Sequence, residues 1–253
     1  NPLFVPFAQM PATMPAAQQE ALRAEALQLI RDVVAPAYAT LLTFMREEYL
    51  TKARTTLAAT ALPDGEAFYQ SQIEEYTTLP LTAEQIHEQG KAEVARIRAE
   101  MEAVKARTGF TGSMAEFFHF LRTDPRFFAP SPEALLRAYR DVSKRIDPEL
   151  VKISKTLPRM PYGVRAIPDN IAPDTTTAYY QGGAADGTRP GYYYVNLYKP
   201  ETRPTWEMMA LSLHEAVPGH HFQFARALEL PDMPLFRKTA YFVTYGEGWA
   251  LYA

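Results

Sequence analysis

Between Leu211 and Gln223 the chain reads LSLHEAVPGHHFQ, which gathers His214, Glu215, His220 and His221. Three of the five histidines of the chain fall in these eight positions. Side chains of these types can hold a zinc ion through neutral imidazole nitrogens, while a neighbouring carboxylate takes a proton from water. In the HExxH arrangement two His four residues apart share one helix face and reach one ion, with the intervening Glu as general base. Here the fourth position after His214 is Pro218, and Pro218-Gly219 displaces the next His. On an unbroken helix His220 would lie about 240° round from His214 at ~100° per residue. His221 would return to the same face, but about 10 Å further along at ~1.5 Å per residue. Zinc–nitrogen bonds of about 2.0–2.1 Å suit neither pair. A Pro-Gly pair inside a helix kinks or bulges it. The expectation is that such a distortion absorbs the two extra residues and brings His220, rather than His221, to the metal.

A catalytic zinc takes three protein ligands and keeps a fourth position open. Cys is absent, which excludes thiolate sites, disulfides and Cys nucleophiles. His87 and His119 lie far upstream and read as surface or packing residues. Glu247, between Gly246 and Gly248, is the expected third ligand, ahead of Glu229 and Asp232. Glycine inside a helix costs about 1 kcal/mol relative to Ala, so the pair suggests close backbone approach. Glu215 is the expected general base, acting on a zinc-activated water. His221, Gln223, Tyr179, Tyr180 and Arg189 are candidates for supporting the site or touching substrate. Read without a metal, Glu247 would be a buried carboxylate bonded to a nearby group and His221 a partly buried polar residue.

The stretch HEAVPGHHFQ resembles the bacterial domain of unknown function 885 family, whose hallmark is HExxPGH followed by Gln. The similarity extends to Leu62–Tyr69 (LPDGEAFY), Tyr162–Asn196 and Gly246–Ala253 (GEGWALYA). That family is similar to helical zinc peptidases such as angiotensin-converting enzyme, thimet oligopeptidase and the thermostable carboxypeptidases. In those, the second zinc His follows a Gly in HExGH, and a Glu on the next helix completes the site. The resemblance therefore implies Zn2+ held by His214, His220 and Glu247, in a long-helix architecture.

The elements that must position these residues follow from periodicity. Residues 1–15 are Pro-, Met- and Ala-rich and read as an extended lead-in. From Ala16 to Ala53 apolar residues recur at helical spacing, and Leu29, Val33, Leu41 and Leu42 are expected to face a core; Pro36 should kink or split this helix. Thr82 with Gln85, and Ser113 with Glu116, are capping boxes opening two further helices. Ser131-Pro132 opens another. At Leu157 helical period gives way to Pro, Gly, Thr and Tyr. Tyr162–Ile167, Ala178–Gln181 and Gly191–Tyr198 read as strands of a small antiparallel sheet before the zinc helix. Its edge could pair with an extended peptide, and Tyr179, Tyr180, Tyr192, Tyr193 and Tyr194 are candidates to line the cleft. The zinc helix starts near Pro204 or Thr205, and a final helix near Pro234 runs back alongside it to deliver Glu247.

The fold class expected is mostly α, with a small antiparallel sheet beside the zinc helix. Residues 1–156 form the helical part and 157–253 the sheet and site helices of one catalytic unit. A net charge of −3 suggests no nucleic-acid surface, and no apolar run reaches the ~18 residues of a membrane span. Lack of Cys suits the cytoplasm or the periplasm. The chain opens at Asn1-Pro2 without Met and stops inside an apparent helix. A longer protein is therefore expected, with an oxyanion stabiliser beyond Ala253. The function expected is a zinc-dependent hydrolase acting on peptides. A hydrolase of non-peptide amides or esters, and a catalytically degenerate metal-binding protein, are the alternatives.

Overall fold

The computed structural model describes residues 2–234, 236–237 and 240–253. It divides into two compact units, residues 1–66 and 67–253. The compositional change at Leu157 lies inside the second.

The first unit is built on α1 (Ala16–Leu29) and α2 (Ala35–Phe44), joined by a wider π-type turn at Ile30–Val34. Pro36 therefore interrupts no ordinary helical ladder: the wide turn lies just ahead of it and α2 restarts around it. The lead-in is not extended, because Val5–Ala8 forms a helical turn. Arg23 Nε donates to the Phe7 carbonyl at 2.9 Å and ties that turn to α1. Leu29, Val33, Leu41 and Leu42 stand exposed, and only Ala26 of α1 is buried. The expected core-facing stripe is thus exposed among the described residues.

Past α3 (Gly65–Thr77), α4 (Ala83–Arg107) and α5 (Met114–Thr123) start at the expected capping boxes. In each, the cap hydroxyl accepts from the N3 amide and the N3 side chain accepts from the cap amide. Ser131 caps α6 (Pro132–Ile146). Leu135, Tyr139, Val142 and Ile146 recur along one face of α6 and are all buried. They form the core together with Val164, Tyr193, Val195, Met208 and Phe222.

The sheet is mixed rather than antiparallel. β1 (Tyr162–Ala166) pairs parallel with β3 (Gly191–Val195), and β2 (Ala178–Gln181) pairs antiparallel on the other side. The reason lies in the connections. β2 and β3 form a hairpin, whereas residues 167–177 carry the chain from β1 across to the far edge. Asn196, almost fully buried, organises this crossing. Its Nδ2 donates to the carbonyls of Ala172 (2.8 Å), Thr175 (3.1 Å) and Thr176 (3.1 Å), and its Oδ1 accepts from Tyr198 N–H at 2.9 Å.

The histidine-bearing segment follows as α7 (Met208–Glu215) and α8 (His220–Leu228), then α9 (Val243–Tyr252). Phe236 and Arg237 are helical but residues 240–242 are not, so α9 is a separate helix and not the continuation of one from Pro234. Phe242 is extended and its carbonyl accepts from both Tyr245 and Gly246. Leu235, Lys238 and Thr239, part of the expected helix from Pro234, lie outside the described residues. No helix among the described residues is long and apolar enough to cross a membrane.

Asn196→Asp should destabilise the protein more than Asn196→Ala does. Either change removes the donor serving three carbonyls, and a carboxylate would also face them with like partial charge. A loss of roughly 2 kcal/mol for Ala, and more for Asp, is expected. Urea unfolding measures it.

Candidate metal centre and cleft

The site begins with a local failure of helical geometry. α7 ends at Glu215, and α8 resumes only at His220. Between them Gly219 N–H donates to the Leu213 carbonyl at 2.9 Å, and Phe222 N–H to that of Ala216 at 3.4 Å. Both bonds span six residues where an α-helix spans four. By Gln223, whose N–H reaches Gly219, the four-residue ladder is restored. The two extra residues are looped out, and His220 takes the place that the second His of HExxH would hold. Gly219 is required there. A Cβ on it would lie 1.9 Å from the His214 carbonyl oxygen and 2.4 Å from that of Leu213.

The rings of His214 and His220 consequently face each other edge-on, with centroids 4.7 Å apart. Glu247 on α9 closes the group: its Oε2 lies 3.4 Å from His214 Nε2 and 3.5 Å from His220 Nε2. All three donor atoms lie within 4.8 Å of one another. Burial lowers the pKa of His220, which favours a neutral ring rather than an ion pair with Glu247. Donor atoms on a tetrahedral ion with bonds of about 2.0–2.1 Å lie about 3.4 Å apart. The two Glu247 distances match that spacing, and two imidazoles plus a carboxylate form a donor set used by catalytic zinc sites. The residues fit the ion.

Glu215 is only 8 % exposed. Burial, and then the charge of Glu247, push its carboxyl up to about 7, while the Tyr180 backbone amide pulls the other way. With His214 it lines a cleft of about 850 Å3, walled by Thr176 and Thr177 ahead of β2 and by the last turn of α9.

His221 is not part of this group. It is 2 % exposed, with Tyr180 Oη 2.9 Å from Nδ1 and the Met160 carbonyl 3.0 Å from Nε2. A carbonyl only accepts, so Nε2 carries the hydrogen and Nδ1 accepts from the Tyr180 hydroxyl. Burial drives its pKa down to about 4. His221 thereby fastens α8 to the sheet. Gly191 on β3 makes room, since a Cβ there would lie 2.4 Å from Tyr180 Oη.

The other candidates separate by face. Tyr180 lies on the helix side of the sheet. Tyr179 stacks on Tyr194 at 4.9 Å on the opposite side, where Arg165 covers Tyr192. Tyr179, Tyr192 and Tyr194 are therefore not cleft residues, and Tyr193 is fully buried in the core. Arg189 lies in the β2–β3 loop, where its carbonyl accepts from Ala184 N–H at 2.9 Å. Gln223 Oε1 and His220 Nδ1, one helical turn apart, are both buried without a partner among the described residues. Glu229 accepts from the amides of Arg159 and Met160, anchoring the segment before β1. Neither it nor Asp232 joins the triad.

Two supporting residues escape sequence reasoning. Trp249 Nε1 donates to the Pro218 carbonyl at 2.7 Å, so α9 grips the looped-out residues directly. Tyr241 Oη donates to Glu247 Oε1 at 3.3 Å. Gly246 serves this second contact, because a Cβ there would lie 2.2 Å from Tyr241 Oη. Gly248 has open space around it, so close approach explains only one of the two glycines. The EGW run following HExxPGH was the available signal for Trp249; Tyr241 had none.

The sequence profile of a bacterial family of unknown function, DUF885, matches residues 1–253. The chain belongs to that family. Among solved structures it is similar to the crystal structure of the "putative lipoprotein" from Colwellia psychrerythraea, with TM-score 0.88 and 29% identity. The match covers 95% of this chain and 42% of that one, so the chain spans less than half the length of its solved relative. No curated protein matches it.

Gly219→Ala should destabilise this DUF885 protein by roughly 3 kcal/mol, the upper end for overpacking. Gly248→Ala should be neutral or stabilising by up to about 1 kcal/mol, because Ala is the better helix former. Thermal unfolding of the two variants checks the contrast.

Proposed function

We propose that this chain carries a zinc-dependent hydrolytic site and acts on peptides. The observation that carries the reading is the convergence of His214, His220 and Glu247, whose donor atoms lie within 4.8 Å of one another, with Glu247 Oε2 3.4 and 3.5 Å from the two Nε2 atoms. Bound there, zinc would act as a Lewis acid and lower the pKa of a coordinated water towards neutrality. His214, His220 and Glu247 would hold it, Trp249 and Tyr241 keeping α9 and the Glu247 carboxylate in place. Glu215 takes the proton from the attacking water and returns it to the leaving amine. Its burial in the cleft keeps bulk water from competing for that proton. The resemblance to helical zinc peptidases supports the same assignment through the Gly219-His220 pair.

The peptide reading rests on β2. It is an edge strand, paired only with β3, and its Tyr180 amide faces Glu215. An extended peptide laid along such an edge gains main-chain hydrogen bonds beside the general base.

The purified protein should contain about one zinc per chain by elemental analysis, and His214→Ala or His220→Ala should lose it. Glu215→Gln should retain the metal while peptide-library cleavage falls by at least about a hundredfold. Absence of any transition metal after zinc soaking would defeat the proposal. Cleavage of amides or esters without cleavage of peptides would leave the metal site standing and move the substrate class.

A further inference from the structure

We infer that Glu207 is a cation-recognising subsite of this cleft, selecting peptides with a positive group two or three residues from the bond that is cut; only the position of that bond rests on the proposed hydrolytic function. Glu207, Ala210, Leu211 and His214 all line the cleft. Their spacing of three, four and seven residues places them along one helix face. Glu207 stands one residue ahead of α7 and seven ahead of His214, about 10 Å away along the axis at ~1.5 Å per residue. The surface between them is the aliphatic strip of Ala210 and Leu211, faced by Thr177 and Ala250. An extended chain advances about 3.4 Å per residue. A peptide whose scissile carbonyl sits at His214 therefore brings a group about three residues away to Glu207, and a long side chain shortens the count to two.

The carboxylate is available. Among the described residues it makes no hydrogen bond or salt bridge. The nearest basic residue on its own segment, Arg203, is bonded to the cleft wall and not to Glu207: Nε donates to the Tyr198 carbonyl at 3.3 Å and Nη1 to Thr177 Oγ1 at 3.1 Å. A half-buried, unpaired carboxylate at the end of a largely apolar cleft attracts a cation more strongly than one on open surface, because the walls exclude screening water. A substrate ammonium or guanidinium meets that chemistry, from a Lys or Arg side chain or from a free peptide amino terminus.

The test uses an alanine-rich heptapeptide series with Lys or norleucine at positions two and three residues either side of each bond, each with a free or acetylated amino terminus. Wild-type enzyme should show kcat/KM about tenfold higher for the Lys member than for its norleucine partner. Glu207→Gln should bring that ratio close to one, and Glu207→Lys should invert it. Ratios near one in wild type both for Lys over norleucine and for free over acetylated amino terminus, or ratios unchanged in both variants, overturn the inference. A preference for the free over the acetylated amino terminus assigns the cation to the terminus; a Lys preference that acetylation leaves unchanged assigns it to the side chain. The same peptides titrated by calorimetry into Glu215→Gln separate the two proposals. Tighter binding of Lys over norleucine without turnover by wild type supports the cation subsite and defeats the peptidase reading. Cleavage by wild type with equal binding of the two peptides defeats the subsite alone.

Discussion

One hydrogen bond sets the geometry on which the site depends: Gly219 N–H to the Leu213 carbonyl, six residues back. It closes the helix over two looped-out residues and resets its register. Without it, His220 would lie on the far side of the helix from His214. The bond also dictates the residue at its donor end, because two carbonyl oxygens occupy the space a side chain would need. The loop exposes the carbonyl of Pro218, which the Trp249 indole then satisfies. That contact seats α9, and α9 carries Glu247. A backbone irregularity in one helix is thus what a second helix is built to recognise.

The same reset gives adjacent histidines different work. Consecutive helical residues point about 100° apart. His220 turns to His214 and Glu247, whereas His221 turns into the sheet and spends both ring nitrogens on Tyr180 and Met160. The burial that keeps His221 neutral also encloses Glu215 and raises its carboxyl. Packing of α8 on β2 and β3 fixes the helix that presents one donor, while α7, packed on β2, carries the general-base candidate at the strand's edge.

Electrostatics divides the cleft along its length. At one end stands Glu215, close enough to Glu247 for one charge to disfavour the other. At the other, Glu207 stands apart beyond the aliphatic strip of Ala210 and Leu211. The arrangement leaves two separated places where positive charge is welcome, one between imidazoles and one open to a ligand. Single surface pairs elsewhere, such as Lys91–Glu88 and Arg96–Glu93, are exposed and contribute little.

Short-range chemistry was legible from the sequence. The capping boxes at Thr82 and Ser113, the strand at Ala178–Gln181 and the Pro-Gly interruption all depend on residues within a few positions of each other. The bulge was legible too, since two residues too many between histidines leave a helix no other way to bring both to one point. What lay beyond reach depended on partners distant in the chain. Parallel pairing of β1 with β3 follows from how residues 167–177 cross the sheet around Asn196. The division of the tyrosines between two faces follows from that register. The exposure of Leu29 and Val33 was also hidden, because periodicity marks an apolar stripe and says nothing of what stands opposite it. Sequence by itself determined which side chains could bind a metal and move a proton, since that is a property of residue type and near spacing. The motif pointed to His220 rather than His221, and to Glu247, in advance, but only the tertiary structure brings Glu247 beside His214 and His220 and turns His221 into the sheet. That outcome turns on where two helices and a sheet edge come to rest against one another.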